Sequence, residues 1–168
     1  ELIRTSYEEF KNYLLHEIRH EEDYIFQPKY LKGEDNQIVF FLYDTADADG
    51  ATRHIEYLNK RGYSVVTPDF GHDIIAARKS FEMNLRKFDY AIIYADKVQI
   101  SWVNMKLMNI LKSPGLGRSK PIKGRAVMIN PDKAGQCPLI GSGFEIIQLD
   151  SGNDKLQLEN FLKKIALE

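Results

Sequence analysis

Phe88 to Ile110 reads FDYAIIYADKVQISWVNMKLMNI, and this stretch decides the fold. Ala91, Ile92 and Ile93 form a continuous apolar run, the pattern of a strand covered on both faces, as in a parallel sheet. A strand is therefore expected from Tyr90 to Tyr94, followed by a polar turn from Ala95 to Gln99. Ser101 is the expected N-cap of a helix whose inward residues are Trp102, Met105, Met108 and Ile110. Asp96 falls just past the strand, where open α/β sheets place their ligand crevice.

The same alternation extends in both directions. Upstream, IVFFLYD ends in Asp44, and the loop TADADGA leads to a helix near Ala51 to Arg61, with Ile55 and Leu58 inward. Gly62 is the residue expected to close that helix in a left-handed conformation. YSVVTP is a second strand, DFGHD a polar loop, and Ile74 to Lys87 a helix. Downstream come the loop SPGLGRSKPIKG, the strand RAVMIN, a stretch over residues 131–143 that is irregular or carries at most a short helical turn, the strand FEIIQL and a helix from Leu156 to Leu167. Five strands alternating with helices imply a doubly wound parallel sheet. The expected order is 2-1-3-4-5, the flavodoxin-like solution. Functional groups are then expected at strand C-terminal ends: Asp44 and Thr45, Asp69 and Phe70, Asp96, and Asn130.

Residues 1–36 form a separate N-terminal segment, and 37–168 the α/β domain. Within the former, residues 6–26 read as an amphipathic helix, with Tyr7, Phe10, Leu14, Ile18 and Ile25 on one face. His16-Glu17-Ile18-Arg19-His20 matches the H-E-x-x-H zinc motif. Both histidines point away from the apolar stripe and no third ligand is evident, so the motif is read as a charged surface helix and no metal is assigned. Residues 1–36 hold nine acidic and five basic side chains, against 15 and 18 in the remainder. An acidic arm on a mildly basic domain gives no footprint for nucleic acid. The lone cysteine, Cys137, precludes an intrachain disulfide and favours a reducing compartment. No apolar run approaches a membrane span and no signal peptide is evident, so a cytoplasmic location is expected. The chain begins at Glu1, without methionine, which reads as a piece of a longer protein.

Several motifs carry a chemical and a plain reading. Asp44, Asp47 and Asp49 could share a magnesium ion, but loop solvation with Asp49 as N-cap is favoured. Asp96 could accept a phosphoryl group as in a receiver domain, but neither RAVMIN nor FEIIQL ends in the lysine that chemistry wants. Ser113 to Lys120 has glycines and cations but lacks phosphate-loop spacing, and is read as a connector. Trp102, the single tryptophan, either stacks on a nucleotide base or belongs to the core.

Taken together, IVFFLYD, YSVVTPDFGHD and FDYAIIYADKVQISWVNMKL resemble a bacterial TIR (Toll/interleukin-1 receptor) domain over Gln37 to Ala166. The similarity is to divergent TIR-like modules at the ends of large signalling or defence proteins, where the third helix runs into a basic, glycine-rich loop like LKSPGLGRSKP. The resemblance implies one of two roles. Many such domains associate with one another; others cleave the nicotinamide–ribose bond of NAD with a glutamate four residues after the tryptophan. That position here is Lys106. An ammonium there opposes a developing oxocarbenium charge, so no catalytic residue is assigned.

The expectation is thus a non-catalytic TIR-like interaction module of a larger bacterial signal-transduction or defence protein. Its partners would be further copies or other TIR-like domains, without nucleic acid or membrane, met through Asp69 to Asp73 with Ser113 to Lys120 beside it. The alternative is a nucleotide-binding or NAD-cleaving enzyme. Its cofactor, NAD or another nucleotide, would lie in a crevice of Tyr43, Asp44, Phe70, Asp96, Trp102 and Lys106.

Overall fold

The computed structural model describes residues 37–166, apart from 72, 119, 138–140, 142, 150 and 151. The helix expected over residues 6–26, its HEIRH motif and the 1–36 segment lie outside the described residues. The strands are β1 (Ile38–Leu42), β2 (Ser64–Val66), β3 (Tyr90–Ala95), β4 (Gly124–Ile129) and β5 (Glu145–Gln148). The helices are α1 (Ala48–Lys60), α2 (Ile74–Lys87), α3 (Ile100–Lys112), the single turn α4 (Pro131–Ala134) and α5 (Asp154–Ala166). The five strands form one sheet in the order β2-β1-β3-β4-β5, and every pairing is parallel. This is the flavodoxin-like arrangement that the alternation of strands and helices predicts.

β3 lies at the centre, and all six of its residues are buried, as a doubly covered strand requires. Alternate residues serve opposite layers. Tyr90, Ile92 and Tyr94 pack with Val39, Phe41, Leu58, Leu158 and Phe161 on the face covered by α1 and α5. On the other face, Phe40 packs at a tilt against Phe81 of α2 and Phe88 at its end, with ring centroids 5.5 and 6.1 Å apart. Register at the N-terminal edge is fixed by Asp89. Its carboxylate accepts the Ile38 amide at 2.8 Å, and its own amide donates to the Ile38 carbonyl at 2.8 Å. β5 is an edge strand, with only Ile147 buried.

Local chemistry explains the helix ends. Asp73 caps α2 by accepting the Ile75 and Ala76 amides, and Gly62 follows α1 with φ of +89°, a backbone state that disfavours side chains with a Cβ. α1 buries Ala51, His54 and Leu58, with Ile55 partly buried against the same core. His54 was not expected inside. Its ring is 5.4 Å from that of Tyr94, Nδ1 lies 3.0 Å from the Gly50 carbonyl, and Nε2 lies 2.8 Å from the Asp154 carboxylate. The histidine therefore ties α1 to the start of α5.

Three local expectations are corrected. α3 begins at Ile100, with Gln99 at the N-cap and no side-chain cap, so Ser101 is an exposed residue inside the helix. Its core residues are Val103, Leu107 and Ile110, whereas Met105 and Met108 are exposed. At about 100° per residue, Val103, Leu107 and Ile110 form one stripe, and the two methionines project from the far side. Finally, α1 starts at Ala48 with Asp47, not Asp49, at the N-cap.

Candidate functional site

Beyond the C-terminal ends of β1 and β2 lies a cleft of about 620 Å³. The turn after β1 supplies Tyr43 and Asp44; the loop after β2 supplies Pro68, Asp69 and Phe70. One face of α2 adds Arg78, Phe81, Glu82 and Leu85, spaced i, i+3, i+4 and i+7. The facing stripe of α3 adds Trp102, Lys106 and Asn109, with Lys112 beyond. These helices cover the same side of the sheet, so their mutual faces form the cleft walls.

Five of the six residues expected at a crevice line this one: Tyr43, Asp44, Phe70, Trp102 and Lys106. Asp96 does not. Its carboxylate accepts the Asn130 side-chain amide at 2.7 Å, toward β4 and away from the β1 and β2 ends. The physical reason is the turn that follows β3. Asp47 is buried, and its carboxylate accepts the amides of Asp96, Lys97 and Val98 at 3.2, 2.8 and 3.4 Å. Lys133 donates to the carbonyls of Asp96 and Val98. Held on both sides, the turn leaves Asp96 with Asn130.

The acidic trio after β1 is likewise dispersed. Asp44 accepts the Ala46 amide and caps a short 3-10 turn, Asp47 is committed to the β3–α3 turn, and Asp49 is exposed. Among the described residues no group of three or more His, Cys, Asp or Glu side chains is placed to hold a metal ion. Ser113 to Lys120 carries a role the sequence did not reveal. Arg118 donates to the Leu85 carbonyl at 2.6 Å and to the Phe88 carbonyl, and its guanidinium lies 4.2 Å from the Phe88 ring centroid. That cation closes the C-terminal end of α2, satisfying carbonyls a helix end otherwise leaves open.

The cleft combines rings with charges of both signs. Tyr43 and Phe70 are in tilted contact at 5.2 Å. Lys106 Nζ lies 4.8 Å from the Phe81 centroid and 5.3 Å from that of Trp102. Burial lowers the pKa of this ammonium, and the Asp44 charge opposes that shift. Trp102 is half-buried rather than core, and its ring holds the Lys106 cation at the cleft wall. Carboxylates are present too. Glu82 pairs with Arg78 at 3.1 Å, and Asp69 accepts the Gly71 amide at 2.8 Å. Lys106 stands at the position where the family resemblance implies a glutamate, yet Asp44 and Glu82 line the same space. Arg78, Phe81, Glu82 and Asn109 were not singled out as ligand contacts. For the three on α2 the signal was the pairing of one aromatic with charged residues on a single helical stripe, and for Asn109 its place on the stripe of Trp102 and Lys106.

No family model matches the chain, and neither the curated proteins nor the solved structures give a match. The fold and the cleft define an α/β domain with a parallel, doubly wound sheet and a ligand-sized crevice at its strand ends. No helix among the described residues is long and apolar enough to cross a membrane.

Proposed function

We propose that this domain is a TIR-like interaction module of a bacterial signalling or defence protein, associating with further copies of itself or with similar domains. The observation that carries this reading is an apolar tip at the start of α2. Phe70, Ile74 and Ile75 are 46, 81 and 71% exposed. Apolar side chains clustered in water at one end of a helix are the usual mark of a contact surface. The tip falls on and beside the Asp69 to Asp73 loop, the contact region implied by the resemblance. Light scattering across a concentration series tests it. Association is expected for the parent chain and should be lost in Ile74→Glu/Ile75→Glu; a chain that is monomeric throughout, or a variant that associates equally, would sink the proposal.

A second reading is favoured by the cleft itself, in which the rings of Tyr43, Phe70 and Trp102 meet the cations Arg78, Lys106 and Lys112. Rings suit a base and cations suit phosphates, so a nucleotide is the ligand class that fits. NAD cleavage would fall to Asp44, Asp69 or Glu82, which line the cleft, with Lys106 opposing charge development on the sugar. Calorimetry with ATP and NAD tests binding. Chromatography for nicotinamide and ADP-ribose tests cleavage, and any that is seen should be abolished by one of Asp44→Asn, Asp69→Asn or Glu82→Gln.

A further inference from the structure

Lys106 differs from the other cations of the cleft in what surrounds it. Arg78 is neutralised by Glu82, and Lys112 is exposed to solvent. Lys106 is half-buried with its amine above two rings, and neither a hydrogen bond nor an ion pair engages it among the described residues. Once deprotonated, an amine so placed has a lone pair free to attack a carbonyl carbon. It also opens onto a space large enough for a small molecule.

From this geometry we infer that Lys106 is a nucleophilic amine that forms an imine with a conjugated or aromatic aldehyde bearing an anionic group. Trp102 and Tyr43 supply surfaces for the planar part, and Lys112 the charge for the anion. Burial lowers the Lys106 pKa, which increases the fraction of neutral amine at neutral pH. The step is balanced without another reactant. The ammonium gives its proton to solvent, and the amine nitrogen bonds to the carbonyl carbon as the C=O π pair moves to oxygen. The nitrogen gives up its two protons through solvent to the oxygen, which leaves as water while the nitrogen lone pair forms the C=N bond. Amine and aldehyde become imine and water. Self-association is not required, and a nucleotide bound in the cleft would compete with the aldehyde for Lys106.

The test is reductive trapping of the intact chain with pyridoxal 5′-phosphate and borohydride at neutral pH, with the labelled lysines mapped by peptide mass spectrometry over time. Lys106 is expected to label at least about tenfold faster than the exposed Lys60, Lys97 and Lys155. Pyridoxal, which lacks the phosphate, should label it more slowly. Lys106→Arg keeps the cation above the rings and should lose that label while retaining the unfolding midpoint of the parent chain. Labelling of Lys106 no faster than the exposed lysines overturns the assignment, and equal rates for the two aldehydes overturn its anionic requirement.

Discussion

Asp47 and Lys133 grip one turn from opposite polarities: the carboxylate takes its amides, and the ammonium reaches its carbonyls. The turn joins β3 to α3, so this pair sets where α3 begins and hence which of its faces meets the cleft. A backbone that has no repeating hydrogen-bond ladder is thus held by two side chains remote in sequence, Asp47 lying 50 residues from Lys97.

Removing Asp47 leaves three amides without their acceptor, one of them buried and two part-buried. Asp47→Ala is expected to cost about 3 kcal/mol in denaturant unfolding, since each orphaned buried group costs roughly 1–3 kcal/mol and relaxation returns part of it. Asp47→Asn, which keeps one carbonyl oxygen, should cost less. Equal losses for the two variants would mean that the carboxylate is not what holds the turn.

Arg118 reaches two carbonyls at the end of α2 and also covers the Phe88 ring. Lysine cannot reproduce a planar fork that donates in two directions while stacking. Arg118→Ala is expected to destabilise by about 2 kcal/mol, with Arg118→Lys recovering less than half of that loss. Full recovery by lysine, read from unfolding midpoints, would reduce the role of Arg118 to charge alone.

Gly50 sits where a methyl group would lie 2.2 Å from the Tyr94 hydroxyl oxygen and 2.9 Å from the ring carbon bearing it. Tyr94 is 4% exposed and packed against His54 and Phe41, so it cannot swing clear cheaply. Although alanine is the better helix former, Gly50→Ala should destabilise by about 1–2 kcal/mol. Tyr94→Phe in the same chain should restore part of the loss by removing the closest atom. A double-mutant cycle with no coupling between the two positions would contradict this packing.

Glu159 joins α5 to α1 by accepting hydrogen bonds from Tyr57 at 2.9 Å and from Arg61 at 2.9 and 3.1 Å. Hydrogen bonds from Lys163, Tyr57 and Arg61 lower its pKa from 4.5 to about 2. A carboxyl group depressed in the folded state binds protons more readily when unfolded, so its contribution is complete above about pH 4.5 and is lost as pH falls toward 2. Stability of the parent chain should therefore drop through that window. Glu159→Gln should flatten that part of the profile, and an unchanged acid limb would remove Glu159 from the account.

Much of the fold was legible because it depends on neighbours along the chain. Alternating strands and helices led to the parallel sheet and its order, and the apolar run of β3 marked its centre. Strand ends located Asp44 and Phe70, and Tyr43, Trp102 and Lys106 were also legible as crevice residues. The contents of the cleft were harder to read. Trp102 was weighed as core or stacking residue, but its helix faces the cleft through Trp102, Lys106 and Asn109, leaving Val103, Leu107 and Ile110 to the core.

Sequence by itself settled the secondary-structure alternation, the parallel topology and the residues available at the strand ends, since period and strand polarity are properties of contiguous residues. Tertiary structure alone decided that Asp96 turns to Asn130, that Asp47 is buried, that Arg118 closes α2, and that Lys106 lies over Phe81 and Trp102. Each of those outcomes depends on which remote group the sheet register brings within about 3 Å of a polar atom, or within about 6 Å of a ring. No local pattern encodes that distance.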